Sequence, residues 1–331
     1  MRNLILYSFL PFLFTIYLLY TFINKTYKPL LEQTSMDPFR PSPLVIQGIL
    51  TSVFHSATNI DSIQFIPHGT DVYAFKAVAP EIGLVVVKVR RDDKENHYPH
   101  FFAHFWATNA WRSKSLPAPQ VYFFDSDSCV EECMPGHHPK TPLSSTEQDR
   151  FLIHMADLFH RLHSVPCPYY GRIKERNKDP SNWVKTLLHT FEFYFYSLHS
   201  SSLLSHQDLD ALETLVAGSL PQLTPKKPSL LHGDLHSLNY LVDDSQTITG
   251  VLDASESLGG DPHYDLAHFT NAHPQFQQRI STLYSHYPEC DVNSVRVYRA
   301  ALAVRKLIVC GVLMKDKQRI TREKANLLAL L

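Results

Sequence analysis

The chain has 331 residues, 44% of them hydrophobic, and a formal net charge of -1. That apolar content suffices for the core of one large domain or of two lobes, while 19% charged residues without a basic stripe argue against nucleic-acid binding. Five cysteines, at positions 129, 133, 167, 290 and 310, are odd in number and scattered, which argues against a secreted disulfide framework.

The first element is apolar. Leu4 to Ile23 is a run of twenty residues without a charge, long enough to cross a bilayer as one helix. No small-residue cleavage site precedes Asn24, so an uncleaved anchor is expected over residues 1–24. Tyr17, Tyr20, Lys25 and Lys28 suit the interface, and Pro11 is tolerable within a membrane helix. Residues 25–45, with Pro29, Pro38, Pro41 and Pro43, read as a tether.

From Ser62 the pattern turns to strands. "SIQFIPHGTDVYAFKAVAPEIGLVVVKVRR" gives β-branched runs broken by "PHGTD" and "APEIG", a small antiparallel sheet. A helix is expected from about His97 to Trp111, then a strand in "LPAPQVYFFD". Beyond "MPGHHPKTP", Ser144 and Glu147 have capping-box spacing. Phe151, Leu152, Met155, Leu158, Phe159 and Leu162 then mark one helical face until Pro166. Further helix fills 181–218, and helices dominate the remainder after residue 253. The expected organisation is a β-rich lobe over 46–134 and a helical lobe over 135–331, an α+β chain.

Between the helices lies "LLHGDLHSLNYLVDD", residues 230–244, two histidines, three aspartates and an asparagine between apolar pairs. "YLVDDSQTITGVLD" reads as a hairpin whose closure makes Asn239 and Asp253 neighbours beside Asp234. An aspartate and an amide oxygen are hard ligands suited to Mg²⁺, whose remaining positions go to water and phosphates. A free aspartate next to that metal can take a hydroxyl proton.

These motifs resemble those of the aminoglycoside phosphotransferase family, small-molecule kinases with the two-lobed protein-kinase-like fold. "HGDLHSLN", "VLDAS" and "GGDPHYDLA" follow in the family's order and spacing, and the resemblance spans roughly residues 60–310. It implies an ATP- and Mg²⁺-dependent phosphotransferase acting on a hydroxyl of a small molecule. Asp234 would be the catalytic aspartate, with Asn239 and Asp253 the Mg²⁺ ligands. Lys88 would meet the phosphates, Gly69, Thr70 and Asp71 would form the turn above the nucleotide, and Glu132, Cys133 and Met134 the hinge beside the adenine. His232, His236, Asp261 and Asp265 would brace the loop.

One departure stands out. The family's lysine pairs with a glutamate on the following helix, yet "HFFAHFWATNAW" holds no acid and only Glu95 lies just upstream. That gap supports an alternative, a membrane-tethered pseudokinase that binds nucleotide or serves as a scaffold; the intact Asp234, Asn239 and Asp253 favour catalysis. A protein kinase is disfavoured, since Asp261 follows Asp253 by eight residues and leaves no room for an activation segment. His100 and His104, at i and i+4, read as packing or surface residues, and Cys129, Cys133, His137 and His138 as no metal site. The stretch 183–206, aromatic with Glu192 its one acid, leans towards a flat or apolar acceptor. A single-pass protein with its catalytic domain in the cytosol is expected: charge around the apolar run barely sets orientation, but ATP supply and unpaired cysteines favour that side.

Overall fold

The computed structural model describes residues 39–331 apart from 57, 68–71, 92–97, 140–141, 176–182, 220–222, 224–226, 289 and 315. The expected anchor and most of the tether lie outside the described residues, and among the described residues no helix is long and apolar enough to cross a membrane. The tether gives way before residue 45 to helix α1 (Pro43–Phe54). Proline opens this helix, where its missing N–H costs no hydrogen bond. Ile46 and Leu50 are the buried residues that hold it on the N-terminal sheet.

That sheet comprises β1 (Gln64–Ile66), β2 (Val72–Ala79), β3 (Gly83–Arg90), β4 (Val121–Phe124) and β5 (Ser128–Glu132), in the order β1-β2-β3-β5-β4 with antiparallel pairs throughout. Its period-2 pattern places Tyr73, Phe75, Ala77 and Ala79 of β2 with Val85, Val87 and Val130 in one small core. Helix α2 (Tyr98–Arg112) links β3 to β4 close to the expected bounds. Its core allegiance departs from the sequence order, because Ala103, Ala107 and Trp111 belong to the large core of the helical lobe. Two alanines let α2 lie close to that lobe, so it bridges the two.

The helical lobe runs α3 (Ser145–His163), β6 (Gly171–Arg172), α4 (Trp183–His199), α5 (His206–Ser219), β7 (Ser229–Leu231), β8 (Tyr240–Val242), β9 (Ile248–Val251), β10 (Leu258–Gly260), α6 (Pro262–Ala272), α7 (Ile280–His286), α8 (Val292–Ile308) and α9 (Lys317–Leu328). The capping box forms: Ser144 N–H donates to the Glu147 carboxylate at 2.8 Å and Glu147 N–H to the Ser144 hydroxyl at 3.4 Å. The six apolar residues expected to share the α3 face are all buried. The β8–β9 hairpin also forms. The strands β6-β10-β7 make a second sheet too short to show in sequence periodicity. It is tightly packed: a Cβ on Gly259 would overlap the Tyr169 carbonyl, and one on Gly260 would come within 2.5 Å of the Trp183 ring.

Candidate active site

Strand β7 delivers His232-Gly233-Asp234 to the face of the helical lobe that meets the sheet lobe. Buried Asp265 on α6 fixes this turn, accepting His232 N–H at 2.7 Å and Gly233 N–H at 2.8 Å. His163 of α3 lies 3.2 Å from the same carboxylate. The His232 ring donates through Nε2 to the Leu252 carbonyl (2.8 Å) and stacks on Trp111. Gly233 has φ +81°, and any Cβ there would run into the Glu256 carbonyl, so only glycine serves. Asp261 caps α6 and accepts the Tyr298 hydroxyl at 2.8 Å. His232, Asp261 and Asp265 therefore brace the loop, while His236 lies against Asp234 itself, with Nε2 3.7 Å from Asp234 Oδ2.

The hairpin brings Asn239 and Asp253 together, since Leu252 N–H donates to the Asn239 carbonyl at 2.8 Å. The Asn239 amide nitrogen donates to the Asp234 carbonyl oxygen (2.8 Å), which leaves its amide oxygen for a cation. Asp253 adopts φ 51°, a left-handed conformation that aspartate and asparagine tolerate better than most residues. Burial opposes ionisation of Asp253, but the Lys88 ammonium outweighs it and holds its pKa down at about 2. Asp234 goes the other way: burial and the neighbouring Asp253 push it up to about 7, against the opposing charges of Arg305 and Lys306. His268 of α6 approaches Asp234 Oδ1 at 3.4 Å; burial, Lys306 and Arg305 hold its pKa down at about 3, so it stays neutral.

Lys88 enters from β3, where it pairs across the ladder with Cys129. Two residues along β5, on the same face, stands Glu131, and its Oε1 lies 2.8 Å from Lys88 Nζ. Burial alone would lower the Lys88 pKa, but Glu131 and then Asp253 override it and keep the ammonium above its ordinary range. The missing helix acid is thus replaced from a strand. The second oxygen of Glu131 contacts Nε2 of His104 on α2, the histidine that sequence alone assigned to packing or surface. The one signal that could have found Glu131 was the β3–β5 register; none in the sequence singled out His104.

Strand alternation sends the next residue the opposite way. Glu132 turns its carboxylate to Arg112 Nη1 (3.0 Å) and to the Gln120 N–H (3.2 Å), tying β5 to the end of α2 rather than offering it to a nucleotide. Met134 packs on the β8–β9 hairpin, where a Cβ on Gly250 would approach the Met134 Cβ to 3.0 Å. The hinge is further joined to β8 by paired His137 and Val242 backbone hydrogen bonds of 2.9 and 2.8 Å. Gly69, Thr70, Asp71 and Glu95 lie outside the described residues.

Among the described residues no group of three or more His, Cys, Asp and Glu gathers as a metal site. The Asp253 carboxylate and the Asn239 amide oxygen supply two hard oxygen donors, which fits Mg²⁺ completed by water and phosphate rather than a fully protein-ligated ion. A further carboxylate, Glu256, clamps the turn after Asp253 to Arg172 of β6 (3.0 Å) and to Lys174 in the turn that follows it (2.5 Å).

Two lobes joined at a short hinge, with a lysine above and an Asp-Asn-Asp set below, define a small-molecule kinase. The chain belongs to the phosphotransferase enzyme family, whose model matches residues 62–298. No curated protein matches it. Solved structures share the fold at low identity. A thermostable aminoglycoside phosphotransferase APH(4)-Ia mutant, in ternary complex with AMP-PNP and hygromycin B, aligns with TM-score 0.66 at 17% identity, covering 86% of this chain and 97% of that one. The gentamicin–APH(2")-IIa complex gives 0.60 at 18%, covering 89% and 97%. A putative fructosamine-3-kinase from Thermobifida fusca gives 0.60 at 16%, covering 86% and 98%.

Proposed function

We propose that the protein transfers the γ-phosphoryl group of ATP to a hydroxyl of a small molecule with the help of Mg²⁺. The observation that carries this reading is the convergence of Asp234, Asn239, Asp253 and Lys88: Asn239 holds the Asp234 carbonyl, and Asp253 lies near enough to feel the charge of Lys88 and to act on Asp234. Lys88, charged and held by Glu131, would meet the phosphates. Asp253, kept ionised, and the Asn239 amide oxygen would hold the metal. Mg²⁺, when bound, neutralises charge on the phosphates. Asp234 takes the acceptor proton as the acceptor oxygen bonds to the γ-phosphorus and ADP leaves. The AMP-PNP complex of a structural neighbour supports a nucleoside triphosphate as donor. The Lys88–Glu131 pair supports catalysis over the pseudokinase alternative, because the lysine has an acid partner although helix α2 offers none.

The acceptor side carries cations. Arg305 and Lys306 of α8 act on Asp234, and Arg172 and Lys174 flank Glu256. We infer that Arg305 and Lys306 near Asp234 favour an acceptor bearing a negative group over a polycationic aminoglycoside. The test is twofold. ATP should raise the melting temperature of the protein only with Mg²⁺ present, and ADP release should respond to hydroxylated acids or phosphorylated alcohols more than to aminoglycosides. Equal stabilisation with and without Mg²⁺ would remove the metal assignment.

We further propose that residues 1–24 anchor the protein in a membrane with the kinase domain on the cytosolic side. The support is the uncharged Leu4–Ile23 run together with the need for ATP. Protease added to sealed vesicles whose cytosolic face is outward should digest the 38.0 kDa chain; protection there would place the domain in a lumen.

A further inference from the structure

We propose that Glu131 and His104 form a positioning pair that ties Lys88, on the nucleotide side, to the Asp253–Ala254 turn on the metal side. The proposal rests on the phosphotransferase reading only for what Lys88 and Asp253 meet; the tie itself is geometric. Helix α2 has no acid between Tyr98 and Arg112, and the carboxylate arrives from β5 instead. Glu131 uses both oxygens, one on Lys88 Nζ at 2.8 Å and one on His104 Nε2. His104 uses both nitrogens, since its Nδ1 accepts the Ala254 N–H at 3.0 Å. A nitrogen that accepts from an N–H carries no proton, so the ring proton sits on Nε2 and donates to Glu131. Donors therefore run in one sense, from the Ala254 amide through His104 to Glu131, which also receives Lys88.

The three side chains are 14, 4 and 2% exposed for Lys88, Glu131 and His104. At that depth a fully satisfied network is rigid, and a half-satisfied one is costly. Helix α2 also packs on the turn Ala254–Glu256. A shift of the helix therefore disturbs the Lys88 ammonium and the backbone next to Asp253 together. His104 and Glu131 act by holding the spacing between Lys88 and the Asp253 turn, which preorganises the cradle.

The experiment compares variants of the full chain by Mg²⁺-ADP calorimetry, ATP kinetics and hydrogen exchange of the Ala254 amide without nucleotide. His104→Gln keeps one donor and one acceptor, whereas His104→Leu fills similar space with neither. His104→Leu is expected to weaken Mg²⁺-ADP about tenfold and to lower kcat/KM for ATP about 10²-fold. His104→Gln should stay within about threefold of wild type, having both bonds. In a Lys88→Met background His104→Leu should cost clearly less than it does in the wild type, because part of its effect runs through the lysine. Ala254 exchange should quicken in His104→Leu and in Glu131→Gln but not in His104→Gln. Equal behaviour of the Leu and Gln variants, additive losses with Lys88→Met, or an unchanged Ala254 amide would overturn the proposal. If His104→Leu does not fold, Glu131→Gln enters the same cycle and decides it. Failure of the wild-type protein to bind Mg²⁺-ADP would sink the phosphotransferase reading, while the exchange comparison would still judge the pair.

Discussion

Asp234→Asn is expected to lower phosphoryl transfer by about 10²–10⁴-fold, the usual worth of a positioned proton acceptor, while Mg²⁺-ATP binding persists. The carboxylate has no structural duty that asparagine fails to meet: Asn239 grips the Asp234 backbone carbonyl, not its side chain. The same substitution should raise the melting temperature near pH 8. In the folded protein burial and Asp253 push the Asp234 pKa from 3.8 up to about 7, so ionising it costs stability. That cost is absent below pH 4, grows between pH 4 and 7, and is complete above 7. The gain in the asparagine variant should therefore widen as pH rises through this window. It will be modest, because the carboxylate is 39% exposed and solvent screens it. In the wild-type enzyme kcat/KM should rise with pH through about 7 as Asp234 becomes able to take a proton. Turnover by Asp234→Asn above a tenth of the wild-type rate would make this residue structural.

Asp253→Asn should abolish the dependence of nucleotide binding on Mg²⁺ and cut turnover by about 10³-fold or more, as expected when a metal worth several kcal/mol to the transition state is lost. Asparagine is the informative replacement because residue 253 lies at φ 51°. Alanine in that left-handed region costs about 1–2 kcal/mol of backbone strain, which would confuse loss of metal with loss of fold. The exchange also removes the anion that pushes Asp234 upward. A pH–rate profile on any residual activity should accordingly shift to lower pH. Thermal-shift titration of ATP with and without Mg²⁺ reads the first effect. Mg²⁺-dependent stabilisation that survives in Asp253→Asn would move the metal elsewhere.

Much of the site is legible in the sequence because its parts are local. Asp234, Asn239 and Asp253 lie within twenty residues, and a single hairpin closed by the Asn239–Leu252 backbone bond brings them together. The α3 capping box and its apolar face are equally local, set by spacings of three and four residues. The apolar character of residues 4–23 is likewise a property of the chain alone. Pairing partners from distant segments are not. Lys88 meets Glu131 because β3 and β5 run antiparallel with Lys88 opposite Cys129. A slip of one residue would have presented Glu132 instead, since side-chain direction reverses at every step along a strand. That parity sends Glu132 to Arg112 and Glu131 to the lysine. His104 reaches Ala254 across 150 residues only because Ala103, Ala107 and Trp111 seat α2 in the core of the other lobe. Spacing along the chain therefore determined the Asp234, Asn239 and Asp253 cluster, whereas strand register and helix docking decided what holds Lys88 in place.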